Sequence, residues 1–343
     1  MILQVQCAKI ISMNLNFLEK SILATIVYYD ILDYPLTGFE VFKYLINPLY
    51  VIAQIGDVRN LQLEPLAEVS LLDVLESLNS DSLRKFIEEK NGFYFLEGKS
   101  YLVEQRIERQ KIAAPRWKKV HKIIKFLQVI PFIKMIAICN SLAIDNSKKE
   151  ADIDFFIVIQ KKRIWLTRLL ITFLVWIKGE WRHKEKIANK ICLSFYITDE
   201  ALNLESIAIK PYDIYLVNWI AQLKPVYYED QIYRDFLLKN SWVKSCLMNF
   251  GKIFNYHHPE FKKNKFLMSV KNFSEKILKG FLGNLVEKLL RSFQKSIISH
   301  KTIQHEISTA VIVSDQMLKF HENDKREFFQ EKFIEKIKIL LSS

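Results

Sequence analysis

The segment Ala151-Asp152-Ile153-Asp154-Phe155-Phe156-Ile157-Val158-Ile159 restricts the fold of this chain more than any other. Its apolar run of aromatic and β-branched residues predicts a strand. The two-residue period of a strand sets Asp152 and Asp154 on one face and Ile153 and Phe155 on the other. Carboxylates at the edge of such a run are costly to desolvate unless cations or hydrogen bonds satisfy them. Their spacing suits one shared Mg²⁺, completed by water and phosphate oxygens. Taken alone, the pair reads equally well as a strand entering a capped turn.

A chain of 343 residues, 50% of them hydrophobic, has core enough for two or three domains. With 8 glycines and 8 prolines, helices joined by short turns should dominate. The net charge of +12 favours anionic partners, whether nucleotides, nucleic acid or acidic lipid. Cys7, Cys139, Cys192 and Cys246 lie far apart, which predicts reduced thiols, a cytoplasmic setting and no structural zinc site. Trp165 to Ile177 is too short to span a bilayer and contains Arg168, so a core helix is expected and no transmembrane segment. Met1 to Leu15 lacks a signal-peptide pattern.

Helices are expected over Phe17 to Tyr29, Phe39 to Leu45, Leu71 to Leu78 and Asp81 to Lys90, with an insertion near 46–68. A hairpin follows over Asn91 to Leu102, with Glu97-Gly98 as its turn. Helices followed by such a wing suggest a winged-helix-like domain over 1–102. Asp81 to Lys90 balances three acids against three bases, which favours packing within the chain or against protein over DNA recognition. Residues 103–130 are basic and helical, with Arg106, Arg109 and Arg116 among the cations. A solvated connector, divided or reopened at Pro115, is the preferred reading over a nucleic-acid contact.

Ile133 to Cys139 reads as a strand that turns at Asn140-Ser141 into a short helix. Asn140-Ser141, a spacer and Asp152-Ile153-Asp154 resemble the signature of the polymerase-β-type nucleotidyltransferase superfamily, which is Gly-Ser, a spacer and Asp-x-Asp. The wider layout resembles bacterial nucleotidyltransferase-domain proteins with an N-terminal winged-helix-like region. That likeness runs through Tyr28 to Thr37, the Gly92 to Leu96 segment, the signature and Lys190 to Tyr196. It implies an α+β fold: the N-terminal domain, a nucleotidyltransferase-type mixed sheet flanked by helices over 131–240, and a helical region over 241–343.

The resemblance further implies that Asp152 and Asp154 are catalytic and hold Mg²⁺, with Mn²⁺ as the alternative ion, and that Asn140 and Ser141 contact the triphosphate. A nucleoside monophosphate would pass from a nucleoside triphosphate to an acceptor, whether small molecule, protein or nucleic acid. Two positions depart from the pattern. Asn140 stands for the glycine and brings a side chain to the triphosphate approach. Lys190 to Ile197, the candidate neighbouring strand, shows Ser194 and no internal carboxylate, with Glu180 and Glu185 before it and Asp199 and Glu200 beyond it, so the family's third acid is absent or supplied elsewhere. A non-catalytic nucleotide- or nucleic-acid-binding protein and a winged-helix DNA-binding regulator are therefore the competing readings.

Arg168 is a further candidate for nucleotide phosphate, although its apolar neighbours favour a snorkelling role. Asp213 and Asn218 are candidates for the cleft or for turn and helix-surface positions. Ile277, Phe281, Leu285, Leu289 and Phe293 recur every four residues, with lysines around them. This stripe is expected to pack over the central domain, with an anionic membrane surface as the alternative. Asp324 to Leu341 reads as a last helix, and His321-Glu322-Asn323-Asp324 as a polar turn without legible chemistry.

Overall fold

The first helix, α1 (Phe17–Ile31), opens with a reciprocal capping box in which Asn16 and Glu19 each accept the other's backbone amide. Thr37 with Glu40 starts α2 (Gly38–Lys43), and Ser70 with Asp73 starts α3 (Leu71–Leu78), in the same way. The computed structural model describes residues 15–47, 49–50, 68–183, 186–210, 213–252, 263–299, 309–321 and 324–342. Most of the expected insertion lies outside them, as does His257-His258-Pro259, where the sequence breaks the helical pattern of the C-terminal region. The fold is mixed α+β.

Strands β1 (Leu36–Thr37), β2 (Ile87–Lys90) and β3 (Phe93–Leu96) form an antiparallel sheet in the order β1-β3-β2. The helix expected over Asp81 to Lys90 is instead one 3-10 turn at Leu83–Lys85 that runs into β2. Its hairpin turns at Asn91-Gly92, not at Glu97-Gly98. Asn91 and Gly92 both take positive φ, 55° and 78°, as a two-residue turn matched to strand twist requires. Ladder pairing of Ile87 with Leu96 and Glu89 with Tyr94 overrides the helical preference of the Glu-Glu-Lys run.

Helix α4 (Tyr101–Leu127) carries Pro115 without dividing there. Its arginines are not solvated as expected. Arg106 forms a two-pronged pair with Glu40, and Arg109 donates to the Leu32 and Asp33 carbonyls and to Asn146. Arg116 holds the Lys148 and Lys149 carbonyls at 2.8 and 2.9 Å, just before the acidic strand. These buried ties secure both halves of the helix, so one backbone bond lost at Pro115 is tolerated.

The larger sheet contains β4 (Ile133–Ile138), β5 (Ile153–Ile159), β6 (Ile191–Thr198), β7 (Lys224–Tyr228), β8 (Val311–Val313) and β9 (Met317–Phe320), in the order β7-β4-β5-β6-β9-β8. β5 and β6 are parallel and the other neighbours antiparallel. The helices, after α4, are α5 (Asn140–Ala143), α6 (Ile164–Ile177), α7 (Ile214–Gln222), α8 (Asp230–Lys239), α9 (Lys265–Leu278), α10 (Phe281–Ser299) and α11 (Arg326–Ser342). The region beyond residue 241, expected to be helical, thus supplies two strands. Ser314-Asp315-Gln316 turns between two apolar runs, and the Ser314 amide bonds the Met317 carbonyl at 2.9 Å.

Alternation along the strands divides the core. Met135, Ala137, Phe156, Val158, Phe195 and Ile197 pack with residues of α1, α7 and α11. Ile136, Ile138, Ile153, Phe155 and Ile157 pack on the opposite face with α4, α6 and the inner sides of α9 and α10. Asp154 shares the parity of Phe156 and therefore the first face. Leu278, Val286 and Leu290 do pack on the sheet, but Ile277, Phe281, Leu285, Leu289 and Phe293 are exposed, against the expectation that the whole stripe is covered. Among the described residues, no helix is long and apolar enough to cross a membrane.

Candidate functional site

Where β4 ends, Asn140 takes φ of +56° and begins α5. Asparagine is among the few residues other than glycine that adopt this conformation readily. Its Oδ1 accepts from Trp219 Nε1 at 3.0 Å and from the Tyr215 hydroxyl at 3.4 Å, both on α7. Its side chain also hydrogen-bonds Asp154. The residue that replaces the expected glycine thus braces the acidic strand against α7.

Asp152, Asp154 and Cys192 bring their ligand atoms within 4.8 Å of one another. Arg182 Nη1 lies 2.8 Å from Asp152 Oδ2 and 3.3 Å from Cys192 Sγ. Burial first, and the Asp152 charge second, raise the Asp154 carboxyl to about 6, against hydrogen bonds from Asn140 and Cys192 that hold it down. Burial pushes the Cys192 thiol up to about 12, so it is a neutral thiol at ordinary pH.

These groups line a cleft of about 450 Å³ whose opposite wall comes from β9 and the start of α11. There Lys319 donates to the Thr309 carbonyl at 2.6 Å, and burial with the nearby Arg326 charge lowers it to about 8. Arg326 pairs with Asp324 at 2.6 Å and Asp213 at 3.2 Å. His321 Nε2 sits 3.2 Å from Ser194 Oγ, itself 3.4 Å from Cys192 Sγ. Burial and then the Lys319 charge push His321 down to about 4, which leaves a neutral imidazole. Lys325 lines the rim with no side-chain ion pair among the described residues.

The structure therefore brings Asn140, Asp152 and Asp154 together. Ser141 lines an adjoining cavity of about 490 Å³, which shares Asn140, Tyr215, Trp219 and Lys325 with the cleft. Arg168 lines neither cavity: it donates to Gln294 at 2.5 Å and lies over the Phe320 ring. Its apolar helix face turns toward the packed α10, so it is removed from the phosphate candidates. Asp213 caps α7 and pairs with Arg326, and Asn218 is buried against Tyr29.

On the neighbouring strand, Cys192 stands in register with Asp154. Glu180 pairs with Lys119, and Asp199 accepts from the Lys161 amide at the far end of β5. Among the described residues, Asp324 is the other carboxylate that lines the cleft, and Arg326 and Lys319 engage it. Glu185 lies outside the described residues.

Two carboxylates on one strand face fit a hard divalent cation, with water or phosphate oxygens completing its shell. A neutral thiol adds nothing for Mg²⁺ and would suit a softer ion only after losing its proton. Asp152 and Asp154 are thus the two oxygen ligands that a divalent cation would find here among the described residues.

The reading of the sequence missed Lys319, His321, Asp324 and Arg326. The signal was the pair of apolar runs flanking Ser314-Asp315-Gln316, a hairpin pattern that adds two strands to the sheet beside β6. No family model matches the chain, and comparison with curated proteins and with solved structures likewise finds no match.

Proposed function

We propose that the cleft binds a nucleoside triphosphate together with Mg²⁺ or Mn²⁺ and transfers its nucleoside monophosphate to an acceptor, releasing pyrophosphate. The reading also takes the central domain as nucleotidyltransferase-like and the N-terminal domain as winged-helix-like. The observation that carries it is the convergence of Asp152 and Asp154 beside the Asn140 turn, facing a wall that bears Lys319, Lys325 and Arg326. Asp152 and Asp154 would hold the ion, which when bound supplies charge neutralisation at polyphosphate oxygens. Lys325, at the junction of the two cavities, steadies the polyphosphate. Asn140 keeps Asp154 oriented through its bonds to α7. The adjoining cavity, with the Ser141 hydroxyl at its edge, gives room for a second reactant.

A second reading, nucleotide binding without transfer, is favoured by Cys192. A neutral thiol opposite Asp154 cannot act as the carboxylate base that the resembled family carries on that strand. For the N-terminal domain, the outward Glu88 and Glu89 on β2 favour a protein-facing role over DNA.

Calorimetry with ATP, CTP, GTP and UTP in Mg²⁺, alongside Asp152→Asn and Asp154→Asn, tests the site. Wild-type binding that weakens in each variant supports it. No binding with Mg²⁺ or Mn²⁺, or variants that bind like wild type, rejects it. Pyrophosphate release with candidate acceptors then separates transferase from binder.

A further inference from the structure

Helices α9 and α10 form a fixed hairpin. Arg163 ties its corner, donating to the Leu278 and Lys279 carbonyls at 3.1 and 2.8 Å and to Asn284 at 2.9 Å. Gly283 permits the close turn, since a Cβ there would lie 1.7 Å from the Leu278 carbonyl oxygen. The inner side is held by Lys271, which donates to the Ile133 carbonyl and Tyr227, and by Glu287 on the Trp165 and Leu166 amides.

The outer side is apolar. At 3.6 residues per turn, Phe266, Val270, Phe273 and Ile277 fall within an arc of about 60° on α9. Phe281, Leu285, Leu289 and Phe293 fall within about 120° on α10. Phe266 is 73% exposed, Phe273 66%, Phe281 84% and Phe293 58%. Four exposed phenylalanines on one rigid hairpin are not scattered surface residues but a surface in want of a partner.

Charge selects that partner. Residues 263–299 contain two carboxylates, Glu275 and Glu287, and both turn inward to cap backbone amides at Phe132 and Trp165. Lys265, Lys276, Lys279 and Lys288 are exposed around the apolar side. A second copy docked on the same surface would set lysine against lysine with no acid from either hairpin to answer it.

We propose that the α9–α10 hairpin lies on an anionic lipid bilayer, with its phenylalanines in the acyl boundary and its lysines among the headgroups. Because the hairpin packs on the sheet face opposite Asp154, the cleft stays open to solvent when the chain is bound.

Flotation with vesicles of phosphatidylcholine alone, and of phosphatidylcholine with phosphatidylglycerol at about 3:1, tests this. The intact chain should float with the anionic vesicles and not with the neutral ones. The triple variant Phe273→Ser, Phe281→Ser, Phe293→Ser should partition roughly 100-fold less with an unchanged melting temperature. Lys276→Gln, Lys279→Gln and Lys288→Gln together should also lower binding by about 100-fold. Nucleotide binding in the cleft is a separate readout that neither variant should change. An intact chain that ignores anionic vesicles, or a serine variant that floats equally well, overturns the proposal. A chain that sediments as a dimer, becomes monomeric with the serines and ignores vesicles assigns the surface to a second copy instead.

Discussion

Arg182 spans Asp152 and Cys192, its Nη1 lying 2.8 Å from the carboxylate and 3.3 Å from the thiol. The guanidinium occupies the charge that a divalent cation would otherwise neutralise. It is partly exposed, so solvent screens the pair and its worth is small. Arg182→Met should therefore tighten Mn²⁺ binding by only about fivefold. Titration followed by the ion's paramagnetic relaxation measures this, and a weakened affinity would show that Arg182 orders the site instead of competing for it.

Asp154 sets the pH dependence. Its folded value near 6 lies above the usual unfolded carboxylate value, so folding takes up a proton. The Asp154 contribution should lower the stability of the metal-free protein as pH rises from about 4 to about 6, while His321, held down by burial and the Lys319 charge, contributes in the opposite sense over that range. Asp154→Asn should melt several degrees higher than wild type at neutral pH without metal, and near it at pH 4. Cation affinity should fall as pH drops below 6. His321→Gln should keep the cation-affinity profile, because His321 is already neutral near pH 6, and should steepen the loss of stability with rising pH by removing the opposing imidazole. Melting curves and Mn²⁺ titrations across the pH range check both variants.

Cys192 distinguishes hard from soft ions. Cys192→Ser should leave Mg²⁺ affinity within about twofold and weaken Cd²⁺ about tenfold or more. Cys192→Asp should tighten Mg²⁺ by roughly tenfold, by adding an oxygen ligand in register with Asp154. Equal loss of both ions in the serine variant would mark the thiol as structural.

Arg106 joins α4 to α2 through Glu40, with its guanidinium also over the Tyr34 and Phe93 rings. Arg106→Met leaves the half-buried Glu40 carboxylate without its cation, though Tyr34 and Thr37 still donate to it, and should cost about 2–3 kcal/mol in urea unfolding. Adding Glu40→Leu should recover much of that, because no charge is then stranded. A double variant as unstable as the single would locate the loss in ring packing.

What the sequence discloses depends on how local the cause is. The acidic strand was legible because Asp152 and Asp154 share a strand parity, and α3 matched its expected bounds because Ser70 and Asp73 cap it. The strand at Ile87–Lys90 was not, since Glu-Glu-Lys carries helical propensity and only pairing with β3 overrides it. The arginines of α4 look solvated on a helical wheel, and their partners at Glu40, Asn146 and Lys148 are distant in sequence. Cys192 became part of the site through register with Asp154, which no spacing discloses.

The bond between Ser194 and His321 crosses 127 residues of chain. β9 is attached to the large sheet along β6, by pairs from Phe195 to Ile197, and carries Lys319 with His321 just beyond it. Release of that pairing would free the β8–β9 hairpin with Lys319 and His321 and leave Asp152 and Asp154 where they are at the start of β5. The site therefore divides by local stability: the acidic half shares the protection of the sheet centre, Arg326 is held by α11 and Asp213, and the Lys319 and His321 side opens with the β8–β9 hairpin. In hydrogen exchange, ligand that bridges the two halves would slow the amides of Met317 to Phe320 before those of Ile153 to Ile159, so occupancy is read at the sheet margin.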